Sequence, residues 1–368
     1  MCALREDSRS QASRSPVAEV VSPAPRQEWL AVLAADPGAS VFQTPSWFEA
    51  AAAVTGARDV SRLYLTRDGR RLVLPLLRRR ALPAFSLDEG LPHPFGPGGL
   101  LATDGVRPDD VQLVLSDLGR SPALSTRVTA MFDVAETFEA GLPVGATATR
   151  LRVHVLDLEG GFATVWAQRF HPSARKAVRR AERAGLTVER DTTGRLVPAF
   201  YELYLAWTAE RTNRSGLPVP VASALARRRQ PLAVFEALTG PPQLDCRTWL
   251  ASHEGTPVAG LVTFVHGAHA ISFRSYSLRE HRALHASHLL KRLAIEEACA
   301  DGCRWFNLGM SGGVSGLEAF KESLGATPRW AVDCRVERVP VHRLQRGRDR
   351  AASSAAAALT RLRGDTGD

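Results

Sequence analysis

Lysine is nearly absent from this chain of 368 residues: Lys176, Lys291 and Lys321 are the only three among 47 basic residues, which outnumber 38 acidic ones to leave a formal net charge of +9. The excess is arginine, which accompanies a GC-rich genome and by itself selects no function. The positive balance favours anionic partners such as phosphates, nucleic acid or acidic lipids. Long apolar runs are missing as well. No stretch of about 18 apolar residues occurs, so the sequence offers no membrane-spanning helix. The opening MCALREDSRSQASRSPVAEVVSPAP mixes charge, serine and proline where a secretory signal needs an apolar core; residues 1–26 therefore read as a disordered leader of a cytoplasmic protein.

The five cysteines, Cys2, Cys246, Cys299, Cys303 and Cys334, are odd in number and form no C-x-x-C pair. That pattern argues against a disulfide framework and fits a reducing compartment. Cys299 and Cys303 stand near a helix end, where buried structural thiols are preferred over a metal pair. His281, His285 and His288 have spacing that brings them together if a helix starts early, but no fourth ligand has a compelling position, so no metal is expected. Carboxylate pairs at catalytic spacing are missing too. A water chain or the substrate itself is left to move protons.

What the chain does contain centres on residues 282–328. The run RALHASHLLKRLAIEEACADGC places Leu289, Leu290, Leu293, Ile295, Ala298 and Cys299 at helical spacing, with Lys291, Arg292, Glu296 and Glu297 across the other side, and predicts an amphipathic helix running to Gly302. Unpaired N–H groups in its first turn, together with the helix dipole, make Ala286, Ser287 and His288 a candidate cradle for a phosphate. Residues 304–308 follow as a short strand. Then the loop MSGGVSG leads into a second helix, LEAFKESLG, with Leu317, Phe320 and Leu324 on one face and Gly325 as its stop.

Elsewhere the length allows two domains. Residues 27–53 read as helical, anchored by Trp29, Leu30, Leu33, Trp47 and Phe48. SRLYLTRDGRRLVLPLLRRRAL alternates on either side of Asp68-Gly69, and RTWLASHEGTPVAGLVTFVHG does so around Glu254-Gly255. Both are hairpin signals, as a duplicated unit would show. The segment ALPAFSLDEGLPHPFGPGGLLA reads as a surface loop or as a lip over an acceptor groove. A boundary falls near Glu159-Gly160-Gly161. After it, Ala174, Ala177, Ala181 and Ala184 form a small-residue stripe, with Lys176, Arg179, Arg180 and Arg183 on the remaining surface. Those cations are either a solvated face or phosphate ligands. Residues 195–238 read as a helical insertion broken by prolines, and residues 341–368 as a basic, Ala-rich tail.

The run GCRWFNLGMSGGVSGLEAFKESLGATP resembles the C-terminal signature of the Fem-like branch of the GNAT acyltransferases, which includes peptidoglycan aminoacyltransferases and BioF2-like acetyltransferase domains. FHPSARKAVRRAERAGLTVER is similar to the basic helix and following strand of that family. The resemblance implies an α/β (mixed α+β) fold of two tandem GNAT-like units, residues 27–159 and 160–340, each a mixed central sheet flanked by helices. It implies transfer of an acyl group, acetyl being expected, from acetyl-CoA or another acyl-CoA to an amine of a small molecule or cell-envelope precursor, with no tightly bound cofactor. Two alternatives stay open: aminoacyl-tRNA as donor, as Fem-like ligases use it to form peptide bonds, and non-catalytic binding of nucleic acid or a partner.

The same resemblance assigns residues. Lys321 matches the family's lysine that handles the aminoacyl donor and would stabilise donor phosphate or a developing oxyanion. Backbone N–H groups around Ser311, Gly312 and Gly313 would stand nearby. Tyr276 is a core tyrosine or a proton donor to the leaving group. The donor's pyrophosphate would meet Arg282, His285, Ala286, Ser287 and His288, although the family's R/Q-x-x-G-x-G/A loop has His285 and Ser287 here in place of both glycines. Lys176, Arg179 and Arg183 would hold substrate phosphates.

Overall fold

The computed structural model describes residues 17–82, 85–92, 94–213 and 219–339. Cys2, the first sixteen residues, the tail from 340 onward and parts of the Pro/Gly-rich and ERTNRSGLPVP segments lie outside them. The first half contains β1 (Val17–Val21), α1 (Arg26–Ala35), α2 (Pro45–Thr55), β2 (Arg58–Asp59), β3 (Arg62–Thr66), β4 (Arg71–Leu74), β5 (Leu77–Leu82), β6 (Phe85–Glu89), β7 (Leu101–Ala102), α3 (Pro108–Gly119), β8 (Ser125–Ala130), α4 (Ala135–Ala140) and β9 (Ala146–Asp157). The second contains α5 (Gly161–Thr164), α6 (Pro172–Glu182), β10 (Thr187–Asp191), α7 (Val197–Asn213), α8 (Val219–Arg229), α9 (Leu232–Thr239), β11 (Asp245–His253), β12 (Thr256–His266), β13 (His269–Ser277), α10 (Ala286–Ala300), β14 (Trp305–Met310), α11 (Ser315–Ser323) and β15 (Thr327–Glu337).

Local chemistry accounts for several boundaries. The expected leader is already a strand from Val17, because its valines favour extended backbone and β3 supplies an antiparallel partner. The single helix expected over residues 27–53 is two. Asp36 ends α1, its carboxylate accepting from the N–H groups of Gly38 at 2.9 Å and Ala102 at 2.8 Å. Thr44 caps α2, its hydroxyl accepting from Trp47 N–H at 3.3 Å with Pro45 in the first helical position. Both hairpins form where Asp-Gly and Glu-Gly stand. In the second, Glu254 and Gly255 have φ of 51° and 78°, as a two-residue turn matched to strand twist requires.

Eleven strands form one sheet in the order β10-β11-β12-β13-β14-β9-β15-β8-β6-β5-β2, and β1-β3-β4-β7 form a smaller sheet. The two halves interlock. Strand β9 lies between β14 and β15, and β15 runs antiparallel to β8 of the first half, so the chain boundary near residue 159 is not a boundary of the sheet. Trp47 on α2 ties the halves further: its ring meets Phe264 and Phe273 edge-on, at 4.7 and 5.3 Å between centroids, and its indole N–H donates to the Phe95 carbonyl.

One irregularity positions the site. Strands β13 and β14 pair in parallel over only three residues, ending at Ile271 opposite Asn307. Beyond that point β13 continues to Ser277 while β14 shifts register against β9 between Asn307 and Gly309, where φ at Gly309 is 71°. The strands part, and a wedge opens in the middle of the sheet.

Candidate functional site

Lysines line the wedge. Lys321, on α11, is 4% exposed, and its ammonium donates to the carbonyls of Gly309 and Met310, both at 2.8 Å. It thereby fixes the end of β14 where the glycine-rich loop begins. Burial pushes it down to about 8. Lys291, on α10, is 3% exposed and bonds to the hydroxyl of Ser272, the first residue of β13 past its pairing with β14. Burial, and then the nearby charge of Lys321, push it down to about 7. No described carboxylate forms an ion pair with either amine. Buried cations without counter-ions are costly, and such costs concentrate at functional sites.

A second layer supports Lys321. Asn307 is buried and accepts from the Gly309 N–H at 2.8 Å, holding the bend of β14. Ser311 is buried with its hydroxyl 3.3 Å from Nδ1 of His154 on β9. The other ring nitrogen of His154 is 3.6 Å from a Glu322 carboxylate oxygen and makes no hydrogen bond. Burial, then Lys321 and Arg152, hold His154 below the usual histidine range, so it is neutral at physiological pH. Gly312 and Gly313 are exposed in the loop, both with positive φ.

At the other end of the site stands the first turn of α10. His285 immediately precedes the helix with φ 53°, in the left-handed region where glycine is the usual occupant. The backbone turn expected of a glycine is therefore kept, with an imidazole attached. The amides of Ala286 and Ser287 have no acceptor within the helix. Arg180 of α6 lies close enough to lower the His285 pKa, after burial has done so. His288 packs edge-on against Phe320, 4.8 Å between centroids, and burial pushes it down to about 4. Arg282, Lys176, Arg179 and Arg183 are exposed. The small-residue stripe of α6 meets α10 as well as the sheet, with Val178 and Ala181 against Leu289.

The expected constellation is thus brought together in part. Lys321 and Ser311 share one wall of the wedge, and residues 285–288 sit at the helix start beside α11. Tyr276 is elsewhere. It faces the helical insertion, packs against Phe200, Tyr204 and Trp207, and donates its hydroxyl to Gln230 at 2.9 Å. Burial pushes its hydroxyl pKa up. Of the three residues expected on one face of α11, Leu324 is buried while Leu317 is 40% exposed. Burial pushes the Cys299 and Cys303 thiols up to about 11, as structural thiols require.

Two residues escaped the sequence reading. Lys291 was expected on the polar side of its helix, yet it falls in the stripe with Ile295 and Ala298, four and seven positions on, both buried. That spacing was the available signal, masked by the residue's charge. His154 sits in LRVHVLDL, where β9 is covered on both faces and no alternation marks its direction.

Residues 168–322 match the family model of the acetyltransferase (GNAT) domain. Among solved structures, the fold is similar to the crystal structure of FemX, with a TM-score of 0.62 and 15% identity over 86% of this chain and 96% of that one. It is also similar to a conserved protein of unknown function from Bacteroides thetaiotaomicron VPI-5482, with a TM-score of 0.55 and 10% identity over 86% of this chain and 100% of that one. No curated protein matches the sequence.

Proposed function

We propose that this chain, whose residues 168–322 match the acetyltransferase (GNAT) domain and whose fold is similar to that of FemX, moves an acyl group, acetyl first, from a CoA thioester to an amine of a small molecule or cell-envelope precursor. The observation that carries this reading is the wedge between β13 and β14 with Lys321 buried on its wall. A thioester carbonyl entering there would develop its negative charge beside a desolvated ammonium, and such fixed donors are worth a few kcal/mol in a transition state. The first turn of α10 would take the donor's pyrophosphate on the amides of Ala286 and Ser287, with Arg282 and Arg180 as nearby cations. His285 preserves the turn this requires. The four cysteines among the described residues, Cys246, Cys299, Cys303 and Cys334, are free, which agrees with a cytoplasmic setting. No helix among the described residues is long and apolar enough to cross a membrane.

A second reading, with aminoacyl-tRNA as donor, is favoured by a specific feature. Lys176, Arg179, Arg180 and Arg183 stand exposed on α6 beside the α10 start, a larger positive surface than one pyrophosphate needs. Calorimetric titration with acetyl-CoA separates the two. Saturable binding that is weakened in Lys321→Ala or Arg282→Ala supports the thioester donor. Absence of binding at millimolar acetyl-CoA and other acyl-CoAs, with binding of charged tRNA, replaces it by the second reading.

A further inference from the structure

The geometry points to Lys291 as the base that accepts the proton of the attacking amine, with Lys321 remaining charged on the opposite wall; this assignment rests on the acyl transfer proposed above. Lys291 is held against Ser272, where β13 leaves β14, and Lys321 is held against Gly309 and Met310, where β14 leaves β13. The two amines therefore stand at the two lips of one opening. Lys321 donates to two backbone carbonyls, acceptors that bind an ammonium more strongly than a neutral amine. Lys291 has a hydroxyl partner, which serves a charged or a neutral amine equally, because a hydroxyl both donates and accepts.

The surroundings of Lys291 favour its neutral form. Charge reaches it from Lys321 on α11, with the same sign. From β13 it meets Ser272. The residues of β12 and α6 that join the core against α10 (Val258, Ala259 and Leu261; Ala174, Val178 and Ala181) are apolar. On its own helix His288 is held neutral and Arg292 is paired with Glu296, while Arg247 of β11, near the far end, is paired with Glu297 and Asp301. The hydroxyl partner of one amine and the two carbonyl acceptors of the other divide the roles of base and electrostatic stabiliser between them.

The step balances without a further reactant. The amine nitrogen attacks the thioester carbon, the C–N bond forms and the carbonyl electron pair moves to oxygen beside Lys321. The proton on the new nitrogen passes to Nζ of Lys291. The oxyanion collapses, the C–S bond breaks, and the leaving thiolate takes the proton from Lys291, returning it neutral.

Three lysines make the test direct. Protein labelled with 13C at lysine should show three Cε signals, and one of them, absent from Lys291→Met, should titrate near neutral pH and at higher pH in Lys321→Met. With acceptor amine and acyl-CoA, kcat should fall on the order of 10²-fold or more in both Lys291→Met and Lys291→Arg, with donor affinity by calorimetry unchanged. The acid limb of the pH profile should vanish in the residual activity. Arginine keeps the charge but cannot give up a proton at these pH values. Full kcat in Lys291→Arg, or a Lys291 signal that titrates near the ordinary lysine value of 10.5, overturns the assignment while leaving acyl transfer intact. Failure of the wild-type protein to bind or turn over any acyl-CoA removes the premise, and the assignment with it.

Discussion

Replacing Lys291 by methionine should stabilise the fold in mildly acidic solution and lose that advantage as the pH rises. The folded chain holds this amine at about 7 against its ordinary 10.5. Below pH 7 both folded and unfolded states bind the proton, and the folded state carries the whole cost of a buried ammonium. Between 7 and 10.5 the unfolded chain keeps a proton that the folded one lacks, so wild-type stability climbs with pH; above 10.5 the cost is gone. At about 1.4 kcal/mol per pH unit the full difference is roughly 5 kcal/mol, an order-of-magnitude figure for a group 3% exposed. Methionine matches the length of the lysine stem and packs adaptably, while the lost bond to Ser272 costs about 1 kcal/mol. The variant should therefore be the more stable by roughly 2–4 kcal/mol at pH 6, and no more stable than wild type at pH 10.5 and above. Urea unfolding of both proteins at pH 6, 8 and 10 measures this, because titration of the other groups largely cancels in the difference. A difference that stays constant over that range would refute the claim that Lys291 is buried and neutralised on folding. A gain at pH 6 accompanied by lost transfer would show that the charge is kept for chemistry at the expense of stability.

Two further substitutions test the frame around the site. His285→Gly should raise stability by about 1 kcal/mol, because φ is 53° there, and should tighten acyl-CoA binding by removing an imidazole from the pyrophosphate's approach; thermal unfolding and calorimetry check the two effects separately. Gly325→Ala should cost about 2–4 kcal/mol in denaturant unfolding, since φ is 84° and the added Cβ would fall 2.6 Å from the Arg169 carbonyl oxygen, which closes the end of α11 onto the segment before α6.

Much of the architecture was legible in local patterns. Asp68-Gly69 and Glu254-Gly255 marked hairpins because few residues tolerate a left-handed turn. The stop at Gly325 and the two helices around the glycine-rich loop follow from the same short-range rules. Lys321 was identifiable because its neighbourhood lies in one continuous run, so the residues that surround it in space are also near it in sequence. The break of residues 27–53 into two helices was also written there, in Asp36-Pro37-Gly38 and Thr44-Pro45, and periodicity overrode it.

Turns, helix ends, the family resemblance, Lys321 and the helix stripe that holds Lys291 can all be read along the chain. That β9 lies between β14 and β15, that Tyr276 faces the helical insertion, and that Lys291 ends on Ser272 follow from the folded arrangement alone. The division has a physical cause. Turns and caps are settled by the backbone limits of a few adjacent residues, whereas the direction a buried cation takes depends on the desolvation and charge supplied by distant segments. Lys291 reaches a strand nineteen residues earlier in the chain and feels a lysine thirty residues later, and no periodicity within α10 carries either contact.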